Sequence, residues 1–237
     1  MKLQYLGDAR DAFKWDLLHW MCTKSSPRFD KMIFVPMLTP DIEKSNEGKI
    51  PHQQFECRGF IRPFLDSLKK EPRSLERIAA LGVVEQNEPP FNVSVIAPTK
   101  YIGTGNMRAE YWSGFEPEKL KNAIIFFDPD NGFETKTQNK AKWVRHSELK
   151  HFLSRLPQTS VVVVYQHRPH RKWNDLFSDL KDNLSYVHTA VAAYEGNLAF
   201  VAMAGNESAG RRIFAAIKSY ANKHSVVCHT VLRGDHA

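Results

Sequence analysis

Residues Ile124–Glu134 read IIFFDPDNGFE: four apolar side chains in a row, then two carboxylates, an amide and a glycine within five positions. So short and apolar a run is the mark of a strand covered on both faces, since a strand with one wet face alternates polar and apolar residues. KMIFVPML (31–38), NVSVIAP (92–98) and SVVVVYQH (160–167) have the same character. Helical spacing fills the gaps over 9–22, 59–71, 73–86 and 146–156, and a further helix follows at 171–183. YVHTAVAAY (186–194) and LAFVAMAG (198–205) meet at Glu195-Gly196-Asn197, which has the length and turn chemistry of a hairpin. A helix over 208–223 and the strand VVCHTVLRG (226–234) complete the pattern. Alternating strands and helices predict an α/β fold of three layers, with a mostly parallel sheet and an antiparallel C-terminal hairpin. The whole chain, 1–237, reads as one α/β domain with a helical insertion around 42–90.

In an open α/β sheet, ligands sit beyond the carboxyl ends of the strands, where side chains are not needed for the core. Asp128, Asp130 and Asn131 stand at such an end. Pro-Asp-Asn-Gly is also good turn chemistry, with Gly132 free to take a positive φ, so a site and a plain turn both fit locally. Three other strand or helix edges are equally polar. In YLGDARDAFKWDLLHW (5–20), Asp8 and Asp11 resemble a capping box, and Phe13, Leu17, Trp20 and Met21 form a helical stripe that leaves Lys14 off it. Thr39, Pro40 and Asp41 follow the first strand. Gln166, His167, Arg168, His170, Arg171 and Lys172 follow the fourth, where a basic, histidine-bearing loop suits phosphate binding or proton transfer. Gly103 and Gly105 form a lone GxG without a strand–helix frame, and no glycine-rich nucleotide loop follows the first strand.

The chain has 237 residues, of which 42% are hydrophobic and 25% charged, proportions that suit a folded globular protein. No apolar run approaches the roughly 18 residues that span a bilayer, which predicts no membrane partner. The charged N-terminal segment does not read as a signal peptide, and the three dispersed cysteines, Cys22, Cys57 and Cys228, form no disulfide framework. Both point to the cytoplasm. The net charge of +7 favours a polyanionic partner, RNA or DNA.

The strings YLGDARDAFKWDLL, FVPMLTPD, FFDPDNGFE and VVVYQHRPHR resemble a family of bacterial proteins with no assigned activity, over the N-terminal two-thirds of the chain. More distantly, the chain is similar to the class I S-adenosylmethionine-dependent methyltransferases, which have a Rossmann-like fold. Within these it is most similar to the ribosomal RNA adenine N6-methyltransferase group, whose chains also begin with a Tyr-, Asp- and Lys-bearing segment. In that group a strand ends in Asp-Pro-Pro-Tyr, which orients the target amino group and stacks the base. Asp128 and Pro129 match its first two positions, Asp130 and Asn131 replace the last two, and Lys14 matches the N-terminal lysine. Phe133 is the aromatic nearest the missing stacking residue, and Met37–Asp41 stands where the family has its glycine loop.

The resemblance implies methyl transfer to nucleic acid. Asp128, Asp130, Asn131 and His167 would form the reacting end, Tyr5, Asp8, Lys14, Thr39 and Asp41 would face S-adenosylmethionine, and Arg168, Arg171 and Lys172 would hold phosphate. Two other readings fit the same residues. Asp8, Asp41, Asp128 and Asp130 could gather Mg²⁺ or Mn²⁺ for phosphoester hydrolysis, with His167 as base. Alternatively, the scaffold binds nucleic acid without catalysis.

Overall fold

A computed structural model describes residues 1–40, 56–96, 100–135, 140–168 and 172–234. Its centre is a seven-stranded sheet. In chain order the strands are β1 (Lys31–Val35), β2 (Asn92–Val95), β3 (Ala123–Phe127), β6 (Val161–His167), β7 (Thr189–Glu195), β8 (Leu198–Ala204) and β9 (Val227–Arg233). Between β3 and β6, two-residue strands β4 (Gly132–Phe133) and β5 (Trp143–Val144) pair in parallel, apart from the main sheet. The order across the sheet is β2-β1-β3-β6-β8-β7-β9. The first four are parallel neighbours, and β8 is antiparallel to both β6 and β7. β9, antiparallel to β7, forms one edge.

The apolar runs do what their lack of alternation implies. Met32, Phe34, Ile124, Phe126, Val161 and Val163 face one core, while Ile33, Val35, Ile125, Phe127, Val162 and Val164 face the other. The first core is roofed by α1 (Ala9–Lys24), α2 (Ile61–Lys69), a 3-10 segment (Leu75–Val83) and α6 (Glu207–Ala221). The second lies under α3 (Gly105–Ser113), α4 (His146–Arg155) and α5 (Trp173–Asn183). Among the described residues no helix is long and apolar enough to cross a membrane.

Three expectations need correction. The helix expected over 73–86 is shorter and winds as a 3-10 helix over Leu75–Val83; Gly82 sits so close to the Phe91 carbonyl that an added Cβ would lie 2.0 Å from it. The GxG stretch opens a helix, α3, because Gly103 and Gly105 both take positive φ and turn the chain into it. Finally, α1 has no wet face: Asp11 through Thr23 are all buried, Lys14 among them. The expected insertion around 42–90 holds α2 and the 3-10 segment, with residues 41–55 outside the described part.

A polar network pins this layer down. Fully buried Asp16 on α1 accepts from Arg58 Nε at 2.6 Å and from the Tyr220 hydroxyl at 3.1 Å, tying α1 to α6 and to the segment that leads into α2. Replacing Arg58 with Leu leaves that carboxylate without its cation. The expected cost is about 3–5 kcal/mol, read as a fall in the urea midpoint at pH 7.

Candidate functional site

The sheet direction reverses its connections around β1: the chain passes from β1 to β2 on one side, then returns across to β3 on the other. Such a switch leaves a crevice beyond the carboxyl ends of the two central strands. Met1, Tyr5, Asp8, Arg10, Lys14, Asp128, Asp130 and Tyr165 come together there around a cavity of about 40 Å³.

Lys14 is the pivot. Its Nζ lies 2.6 Å from Asp11 Oδ1 and 2.8 Å from Asp128 Oδ2, and all three side chains are buried. Burial alone would lower the lysine pKa; the two carboxylates more than reverse this and hold the ammonium above its usual range. Burial raises the Asp128 carboxyl, and Lys14 and the Met1 amine work against that rise. The Asp128 backbone is equally committed, with its N–H donating to the Val35 carbonyl at 3.0 Å.

Asp8 caps α1, its Oδ1 accepting from the Arg10 and Asp11 amides at 2.9 and 3.4 Å. The reciprocal bond of the box is displaced by one residue, since Asp11 Oδ2 accepts from the Gly7 amide at 2.7 Å. Burial and the neighbouring Asp11 charge push the Asp8 carboxyl up to about 6, against the pull of Lys14 and Arg10. Arg10, also on the cleft wall, engages no side-chain hydrogen-bond acceptor among the described residues.

The Met1 amine closes the other side. It donates to the carbonyls of Pro36, Met37 and Asp128 at 3.1, 2.8 and 2.8 Å, and it lies 3.3 Å from Asp130 Oδ1. Thr39 Oγ1 donates to Asp130 Oδ2 at 2.6 Å. Met37 accommodates this arrangement with φ of 45°.

The Asp-Pro-Asp-Asn-Gly turn is fastened to β6. Gln166 Oε1 accepts from the Phe133 amide at 2.9 Å, while its Nε2 and the His167 amide both donate to the Asn131 carbonyl at 3.0 Å. Gly132 has φ of 116°, and a Cβ there would fall 2.2 Å from Gln166 Oε1. The glycine is needed for both reasons.

Of the residues singled out in the sequence, Tyr5, Asp8, Lys14, Thr39, Asp128 and Asp130 meet at this cleft. His167 stands one step away, its Nδ1 at 3.5 Å from the Tyr165 hydroxyl. Asn131 contributes its backbone to the turn. Arg168 and Lys172 are exposed beyond β6, and the Arg168 amide donates to the Asn197 carbonyl at 2.8 Å. Asp41 and Arg171 lie outside the described residues. Phe133 cannot stand in for a stacking aromatic: it is buried and lies parallel to His146, with ring centroids 5.7 Å apart.

Sequence reasoning missed Met1, Arg10 and Tyr165, and gave Asp11 only as part of a cap. Tyr165 looked like one more strand residue, and only the switch in the sheet brings it over Lys14, whose Nζ lies 5.8 Å from its ring centroid. The i, i+3 spacing of Asp11 and Lys14 was a usable signal.

Among the described residues, the cavity at this cleft is small for S-adenosylmethionine. A cavity of about 40 Å³ is far below the roughly 300–1,000 Å³ of small-molecule sites, and Met1 occupies the carboxyl end of β1. For Mg²⁺ or Mn²⁺, no group of three or more His, Cys, Asp or Glu side chains is arranged to hold a metal among the described residues. No protein-family model matches the chain, and no curated protein matches it.

Two outcomes follow from the charges. Lys14→Met strands two buried carboxylates and should cost about 3–5 kcal/mol at pH 7, with a smaller loss in acid, where Asp128, whose carboxyl is raised by burial, takes up a proton; chemical denaturation at pH 7 and pH 4.5 reads both. Asp8 has a raised pKa, so the stability it contributes is full below its ordinary value near 3.8 and is lost as pH rises through about 6. Asp8→Asn keeps the cap and removes the titration, so the melting temperature of the variant, relative to the original, should rise between pH 4 and pH 6.5.

Proposed function

We propose that this chain is a nucleic-acid-binding protein on a methyltransferase-like α/β scaffold, and that it binds a single strand along the carboxyl-end edge of its sheet without carrying out methyl transfer. The observation that carries the reading is the fate of Asp128. A carboxylate that orients a substrate amine must turn its acceptors to it, whereas this one is buried and commits Oδ2 to Lys14 at 2.8 Å. The exposed positive groups lie around that closed cleft. Lys100 stands beyond the end of β2, and Arg168 and Lys172 stand beyond the end of β6. Cations spread across four strands suit a backbone with repeated phosphates better than one small anion. The overall charge of +7 supports the same partner.

Methyl transfer keeps one supporting observation of its own. The N-terminal lysine reaches the Asp-Pro carboxylate. On this reading Lys14 would have to release Asp128 when substrate arrives.

Fluorescence anisotropy with labelled single-stranded RNA and DNA, between 50 and 200 mM salt, tests the binding reading. Affinity should fall steeply with salt, and Arg168→Ala/Lys172→Ala should reduce the slope of log K against log salt by about 1.4, the share of two phosphates on a single strand. A slope that the double variant leaves unchanged, or no binding at 50 mM salt, sinks it. Calorimetric titration with S-adenosylmethionine separates the two readings: saturable micromolar heat, weakened by Asp128→Ala, would restore methyl transfer.

A further inference from the structure

At the opposite end of the sheet, between α6 and the β7–β9 edge, lies a second cavity of about 300 Å³. That volume reaches the range of small-molecule sites. Its floor is set by a close approach: Gly210 on α6 meets β7 so tightly that a Cβ would lie 2.2 Å from Thr189 Oγ1. Phe214 and Ala215 continue the apolar wall along the helix, and Thr230 of β9 faces them. The interior is therefore mostly hydrocarbon.

The rim has the opposite character. Arg211, Arg233 and His188 stand around it, with Glu207 as the single carboxylate, and Glu207 pairs with Arg211. Arg233 is exposed and has no carboxylate partner among the described residues; its guanidinium carbon lies 5.8 Å from the Phe214 ring centroid. An apolar hollow rimmed by a histidine and by a guanidinium that has no carboxylate partner among the described residues complements a ligand with the reverse polarity.

We propose that this cavity binds a small amphiphilic anion: a flat apolar body seated against Gly210, Ala215 and Phe214, with one carboxylate, sulfonate or phosphate held by Arg233. The site is independent of the nucleic-acid edge, since Thr189 begins β7 and Arg233 ends β9, both at the far end from Asp128.

The probe is 8-anilinonaphthalene-1-sulfonate, which joins an aromatic body to one sulfonate and becomes fluorescent out of water. It should bind the full chain saturably at one site. Arg233→Ala should weaken binding about tenfold, the order of one lost charge-assisted hydrogen bond. Thr230→Trp, an exposed position on an edge strand that tolerates an aromatic, should fill the hollow and abolish binding. Circular dichroism melts confirm that each variant folds, and Arg168→Ala, at the other end of the sheet, should leave binding unchanged. Absence of saturable binding, or binding that either Arg233→Ala or Thr230→Trp leaves intact, overturns the proposal.

Discussion

A lysine ammonium buried between two carboxylates holds the first helix to the centre of the sheet. Lys14 cannot leave Asp11 and Asp128 without exposing three charges to an interior that does not solvate them. The pairing fixes the rotation of α1, and that rotation decides which residues reach the carboxyl ends of β1 and β3. Because α1 is buried all round, the hydrophobic effect alone would leave its angle about its own axis weakly specified. The ion pair supplies the direction that a single apolar stripe would supply in an ordinary surface helix. Asp16 does the same two residues further on, through Arg58 and Tyr220, so two buried ionic contacts lock one helix.

The same network explains why the polar end of the sheet is compact and not open. The carboxylates and the glutamine at this end already have work to do. Asp128 serves Lys14, Asp130 serves Thr39 and the Met1 amine, Asp8 caps a helix, and Gln166 holds the turn that carries all of them. Binding energy from a partner is then best gathered outside this knot, from the exposed cations around it.

Much of this was legible beforehand, for a physical reason. Continuous apolar runs such as Ile124–Phe127 and Val161–Val164 have one stable fate, burial on both faces, and the polar residues that stop them must stand at the sheet's end. So Thr39, Asp128 and Asp130 were singled out from local pattern, and Asp8 from its place at a helix entrance, whereas Lys14 came only from the resemblance. What stayed hidden depends on distance in the chain. Whether Asp128 is free or held is settled by a residue 114 positions away, and the Met1 amine enters from 127 positions away. Gly103 and Gly105 misled for the contrary reason: the short helix they open, α3, buries only Arg108 and Tyr111, too few residues to mark a period.

The place of β8 bears on how the chain comes together. It lies between β6 and β7 in the sheet, yet follows both in sequence. Until residues 198–204 have been synthesised, β6 has an open edge, and its backbone donors and acceptors on that side await a strand. A hairpin is the local, rapidly formed unit in this region, so β7 and β8 pair first and dock together, β8 leading, onto Val162–His167. During translation the half-made sheet thus exposes an apolar edge strand, the kind of surface that recruits chaperones or neighbouring chains. The last fifty residues close the fold and also end its period of greatest vulnerability.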